Sequence, residues 1–317
     1  MSSNATGPDS TLAYLVGPQV MGLFFNWGLL GVLSVQTVVY HVSFPHDTVA
    51  VKTLVYGIYV VEFVQTVLVT HDAFHWLVYS WGNLEGLEAI NLSWFDVPVM
   101  AGCISTAVQL FFCWRIRVLG NMKVLPLIIA MFSVTQGISA ITSGFMVLKI
   151  GTFAEINKIL PVTTVWLVGS AIADVLIAGT MTYLLITLKS PFPRTDRVVN
   201  RLIRLIVETG ILTATCAILD LVLFIVFQHN NLHTCPATTL AKLYSNTLLV
   251  IFNNRAFVTK SGVHQLTCAT QEEGRCAASS DPTVERPGFG HTFMVNANVT
   301  DNDIPLDELE GRKIPVL

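Results

Sequence analysis

Residues 166–188, WLVGSAIADVLIAGTMTYLLITL, and residues 205–227, LIVETGILTATCAILDLVLFIVF, flank the basic connector 189–197, KSPFPRTDR. Each run exceeds twenty residues, and about 20 helical residues at ~1.5 Å rise cross ~30 Å of hydrocarbon. A third run, 236–257, PATTLAKLYSNTLLVIFNNRAF, follows after a short polar loop. Three such runs in succession read as membrane spans. The bulk numbers agree: 52% of the 317 residues are hydrophobic, only 12% are charged, and the mean hydropathy is +0.61. A water-soluble domain rarely shows that balance.

Working outward, four further apolar runs precede these three, which gives seven spans at about 15–40, 51–70, 93–114, 124–148, 162–188, 205–228 and 236–257. The expected fold is all-α: an integral membrane seven-transmembrane-helix bundle over residues 12–258. It lies between a polar N-terminus, 1–11, and a tail, 259–317. The tail holds Pro282, Pro287, Pro305 and Pro315 without sustained periodicity and reads as disordered. No Lys or Arg precedes the first run, which is too long for a signal-peptide core and is taken as an uncleaved span. Thr195 is placed to cap the sixth helix, whose first turns, Asp196 to Arg204, should protrude from the bilayer. Pro18, Pro98, Pro126, Pro161 and Pro236 all fall near the first turn of a span, where a missing amide costs little.

Seven crossings put the chain ends on opposite sides, and the basic residues choose which. One side collects Lys52, Arg115, Arg117, Lys123, Lys189, Arg194, Arg197, Arg201, Arg204, Arg255 and Lys260; the other has only Lys149, Lys158 and Lys242. Cytoplasmic loops carry the excess, so the N-terminus is expected outside and the tail in the cytoplasm. The sequon Asn4-Ala5-Thr6 is then on the side where it can be glycosylated. Residence is expected in the plasma membrane or another secretory-pathway membrane.

Ionisable groups within spans are costly, roughly 2.5 to 3.5 kcal/mol each at the bilayer centre, and therefore mark candidate sites. Glu62 and Asp174 fall near the middles of the second and fifth spans, and Asp96 and Asp220 toward the outer halves of the third and sixth. Lys242 is the one basic residue of comparable depth, and counting residues allows a Lys242–Asp220 pair. These five are the pocket or proton-carrying candidates; the alternative is that each acid is held by polar neighbours and serves packing. His71 and His75, like His229 and His233, are four apart, a spacing that suits zinc or copper on a helix, against plain interfacial histidines. No histidine lies mid-span to hold a haem, and no cofactor or catalytic residue is implied.

Small residues repeat at four-residue spacing: Ser133/Gly137, Gln136/Ala140/Gly144 and Gly169/Ala173. Such stripes bring helices close, within one bundle or across a homodimer. The basic segment containing Arg194, Arg197, Arg201 and Arg204 suits anionic lipid or a cytosolic partner at loop five and the tail. Cys268 is a candidate palmitoylation site, and nothing points to a nucleic-acid partner.

The blocks Asp174-Val-Leu-Ile-Ala178, Thr195-Asp-Arg-Val-Val-Asn-Arg-Leu-Ile203, Glu208-Thr-Gly-Ile-Leu-Thr213, Leu243-Tyr-Ser-Asn-Thr-Leu-Leu249 and Asn253-Asn-Arg255 cover the last three spans. Together they resemble a family of fungal, mainly basidiomycete, seven-span membrane proteins defined only by a domain of unknown function. The resemblance implies membrane residence and a polar tail, and carries over no site residue. Receptor and rhodopsin patterns fit poorly. The last span has no mid-depth lysine, and Trp114-Arg115-Ile116-Arg117 lacks the acid of an acid-arginine pair. The leading expectation is a receptor-like or sensory protein with an outward-facing pocket for a small-molecule ligand near Asp96, Asp220 and Lys242. The alternative is a transporter or proton-coupled carrier using Glu62, Asp174 and Asp220, and third comes a membrane-embedded metalloenzyme.

Overall fold

The computed structural model describes residues 8–80, 90–151, 158–187, 193–227 and 231–255, with side chains from 16 onward and, after the fifth helix, from 200. Asn4, His229, Cys268 and the tail lie outside the described residues, as do the side chains of Arg194 and Arg197. The helices are α1 (Pro8–Ser43), α2 (Val49–Phe74), α3 (Met100–Gly120), α4 (Val124–Ile150), α5 (Leu160–Thr187), α6 (Pro193–Val226) and α7 (residues 234–255). A wide π turn, His75–Tyr79, continues α2, and a second, Phe95–Val99, leads into α3. Six helical segments, from α1 to α6, are long and apolar enough to cross a membrane. No strand forms among the described residues.

Helix ends follow local chemistry. Asn121 closes α3 in the left-handed region at φ 47°, and Gly151 closes α4 at φ 76°, its N–H returning to Val147 O at 3.0 Å. The sixth helix begins at Pro193, ahead of the apolar run that opens at Leu205. Thr195 is thus inside the helix rather than its cap. Proline at the opening position loses no helical bond, which favours the earlier start. α1 likewise begins at Pro8, so Pro18 is interior to it.

Consecutive helices alternate in direction, so one end of the bundle gathers the starts of α1, α3, α5 and α7 with the finishes of α2, α4 and α6. This is called the first end. At the second end, Asp47 accepts from Tyr40 Oη at 2.9 Å and from Arg255 Nη2 at 2.5 Å, and the Arg255 guanidinium lies 4.5 Å from the Phe44 ring centre. That cluster ties α1 and the α1–α2 turn to α7.

The small-residue stripe of α4 faces the bundle. Ser133, Gln136, Gly137, Ala140 and Gly144 are all buried. A Cβ at Gly102 would stand 2.5 Å from Ala140 Cβ, and one at Gly144 would stand 2.6 Å from Trp94 O. Close backbone approach of α3 to α4 needs these glycines. The opposite helix faces are apolar and exposed, with Phe24, Val35, Val134, Ile138 and Val175 among them. Such surfaces suit a lipid bilayer.

Candidate functional site

Among the described residues, polar side chains inside the bundle form two networks and part of the wall of a cavity at the first end. The first network surrounds Lys242, which is fully buried. Lys242, Ser245 and Asn246 occupy one face of α7 at i, i+3 and i+4 spacing, and that face meets α2 and α1. Lys242 Nζ forms an ion pair with Glu62 Oε2 and donates to Glu62 O at 2.8 Å and Gln65 Oε1 at 3.1 Å. Ser245 Oγ donates to Glu62 Oε1, so both carboxylate oxygens are satisfied. Asn246 donates to Leu29 O at 3.2 Å, and Asn26 donates to Thr238 O at 3.1 Å while accepting from Thr66 Oγ1 at 2.7 Å.

This arrangement corrects the Lys242–Asp220 pairing. Counting residues gives depth along a helix but not the direction a side chain faces; Lys242 faces α2, and Asp220 of α6 does not reach it. It also removes Lys242 from the expected pocket. The lysine is held by three acceptors and is absent from the cavity wall.

The second network occupies the other face of α7. Tyr244 Oη donates to Asp174 Oδ2 at 2.7 Å, lies 2.6 Å from Ser170 Oγ, and the second carboxylate oxygen accepts from Gln109 Nε2 at 3.0 Å. Gln136 Nε2 extends the network to Ser105 and Thr106 at 3.2 and 3.0 Å. A cavity of about 30 Å³, lined in part by Gln109, Asp174, Thr213 and Tyr244, adjoins it. Asp174 thus stands apart from Asp96 and Asp220, and the five candidates fall into three environments rather than one.

The cavity at the first end is larger, about 80 Å³, and holds both Asp96 and Asp220. Every helix but α3 sends it a side chain directly; α3 does so through the π turn that carries Asp96 and Pro98. Pro98 has no N–H for Trp94 O, and the wider turn accommodates that loss, Met100 N–H reaching Phe95 O instead. Asp96 and Asp220 are 1% and 2% exposed. Asp96 Oδ1, Gln19 Nε2, Trp166 Nε1 and Thr234 Oγ1 all line this cavity and find no hydrogen-bond partner among the described residues. Orphaned polar atoms are rare in protein interiors, and four around one void set this site apart.

Asp72, adjacent to the cavity wall, is visible in the sequence only as a neighbour of His71 and His75. It is fully buried and accepts from Leu92 N at 3.0 Å and Ser93 Oγ at 2.7 Å, pinning the approach to the third span. Gln65 is a residue that sequence reasoning passed over: its Nε2 donates to Asp96 O at 2.7 Å while its Oε1 accepts from Lys242, so it links the cavity wall to the ion pair. Its position three residues from Glu62, inside an apolar run, was the available signal.

His71, His75 and His233 each have separate partners, and His229 lies outside the described residues. His71 is 3.3 Å from Asp72 with a side chain 60% exposed, and His75 is 3.4 Å from Ser80 Oγ. His233 lies edge-on to Phe224 at 4.9 Å between ring centres, and burial lowers its pKa to about 4. Among the described residues no group of three His, Cys, Asp or Glu side chains is arranged to hold a metal ion. Arg201 and Arg204 are exposed at the second end, Arg204 pairing with Glu208 at 2.6 Å.

Fold and site together define a membrane-type helical protein with a polar cavity buried among its spans. Within it, residues 170–257, which run from the middle of α5 through α7, match a family of unknown function, DUF6534. No curated protein and no solved structure matches the chain. The resemblance drawn from the last three spans therefore stands as similarity to a family of unknown function over that segment. Asp174, Asp220, Lys242 and Tyr244 lie inside it, whereas Glu62 and Asp96 lie outside.

Proposed function

We propose that the protein crosses the membrane seven times, N-terminus outside and tail in the cytoplasm, and acts as a receptor-like or sensory protein. Its binding site is the cavity at the first end, which this orientation turns outward. The seventh crossing would be α7, whose 22 residues are long enough to span. The connector before α6, the protruding base of that helix and the tail form the cytoplasmic face on which a partner would act. The observation that carries the reading is the cavity itself. Two carboxyls line a void of about 80 Å³ together with the orphaned polar groups of Gln19, Trp166 and Thr234. Such a void with convergent polar groups is the usual form of a small-molecule site.

The test is a ligand screen by thermal stabilisation of the full-length protein, repeated on the cavity-filling variants Ala73→Phe and Ala237→Phe. Stabilising compounds that lose their effect in both variants support the site. Compounds that stabilise wild type and filled variants equally contradict it. A carrier is the second reading, favoured by the separate cavity beside Asp174, which gives buried acids voids at two levels of the bundle. Uptake into proteoliposomes separates the two.

A further inference from the structure

Among the described residues the cavity at the first end is lined by acids and by no Lys or Arg: Asp96 and Asp220 are on its wall, and Lys242 is committed to Glu62 and Gln65. His233, also on the wall, stays neutral near pH 7 because burial lowers its pKa to about 4. A carboxylate enclosed this way is costly unless an opposite charge or donors meet it. An ammonium group supplies both, with three N–H donors in a compact volume. Three aromatic side chains, Trp76, Trp166 and Phe224, also line it and offer apolar area to a short carbon chain. Size narrows the class further. A cavity of ~150 Å³ accepts benzene, so about 80 Å³ suits roughly three to four heavy atoms.

We infer that the cavity binds a short primary ammonium compound, its N–H groups donating to the Asp96 and Asp220 carboxyls and its carbon chain lying against Trp76, Trp166 and Phe224. This inference rests on the cavity's being a ligand site, as proposed above, and adds the charge and size of the occupant. The orphaned Trp166 N–H sharpens it: a hydroxyl on the ligand's far end supplies the acceptor that this donor lacks. Protonated 2-aminoethanol therefore binds more tightly than propylammonium, although both have four heavy atoms.

Calorimetric titration of the full-length protein in nanodiscs, with empty nanodiscs subtracted, tests this. The probes are propylammonium, protonated 2-aminoethanol, 1-propanol and propionate. The expected result is saturable binding of both amines at least tenfold tighter than 1-propanol, and no binding of propionate. In Asp220→Asn the amine advantage should fall below threefold. If that variant does not fold, the amine-to-alcohol ratio in the wild type decides alone. Equal binding of amine and alcohol overturns the cation inference and leaves the cavity as a ligand site. If none of the probes binds while larger compounds are displaced by cavity filling, the size and charge assignment fails. If neither the probes nor screened compounds bind, the ligand site itself is refuted.

Discussion

Replacing Lys242 with methionine removes the ammonium and keeps most of the apolar stem. Three acceptors lose the lysine at once, Glu62 Oε2, Glu62 O and Gln65 Oε1, and of these Glu62 O keeps Thr66 Oγ1 at 3.0 Å. Glu62 and Gln65 have no exposure to recruit water, so the carboxylate is left with Ser245 alone. Breaking one partner of a buried pair costs about 3–5 kcal/mol, because an uncompensated charge remains. Removing both charges is different, since an apolar pair of similar volume avoids the desolvation that the ions required. Lys242→Met should therefore lose about 3–5 kcal/mol, and Glu62→Met combined with Lys242→Met should regain at least ~2 kcal/mol of that. Reversible unfolding by SDS in mixed micelles, followed by tryptophan fluorescence and circular dichroism, measures all four corners of the cycle, Glu62→Met alone included. A loss under about 1 kcal/mol in Lys242→Met, or a double variant equal to the sum of the singles, would refute the pairing.

Further outcomes follow from the other contacts. Tyr244→Phe deletes the hydroxyl held between Asp174 and Ser170 at 2.7 and 2.6 Å and should cost about 1.5–3 kcal/mol in the same unfolding assay. Gly144→Leu pushes against Trp94 O, where even a Cβ would stand 2.6 Å away, whereas nothing lies within 4 Å of a Cβ at Gly179. The first change should destabilise by at least about 1–3 kcal/mol and Gly179→Leu should be tolerated. His233 is neutral when folded because burial holds its pKa at about 4, below the ordinary 6.5. Its contribution is complete above pH 6.5 and is lost as pH falls toward about 4, where the folded form too takes up a proton. Asp96 and Asp220 share the same cavity and titrate with slopes of their own, so the readout is the difference between wild type and His233→Gln. The variant should show a shallower loss of stability across that window.

Much of the bundle was legible in the sequence because hydrocarbon thickness imposes run length, and run length needs no tertiary knowledge. The helices at Val124–Ile150 and Leu160–Thr187 sit within a few residues of the runs expected there. The early start of α6 was equally visible, since basic residues precede its apolar stretch. Boundaries slipped where proline could open a helix earlier than a capping threonine, as at Pro193. The acids themselves were identified, and Asp96 and Asp220 do share one cavity. Their grouping was not legible in full, since two faces of α7 separate Lys242 from Tyr244 by only two residues. Span counting places both at one depth, yet one side chain meets α2 and the other α5. Gln19, Trp166 and Thr234 gave no sign either, because a neutral polar side chain near a helix end looks like interface until the facing helices are known.

The orientation of the bundle decides whether the polar cavity opens to the outside, and single-cysteine labelling measures it directly. Cysteines would be placed one at a time at Tyr79, which is 80% exposed at the first end, at Val124, which is 71% exposed at the second, and at Leu317, in a version with the six native cysteines replaced. With a membrane-impermeant maleimide on intact cells, Tyr79→Cys should label, while Val124→Cys and Leu317→Cys should label only after permeabilisation. Labelling of Val124→Cys in intact cells, or of Leu317→Cys on the same side as Tyr79→Cys, would contradict seven crossings with the cavity facing out.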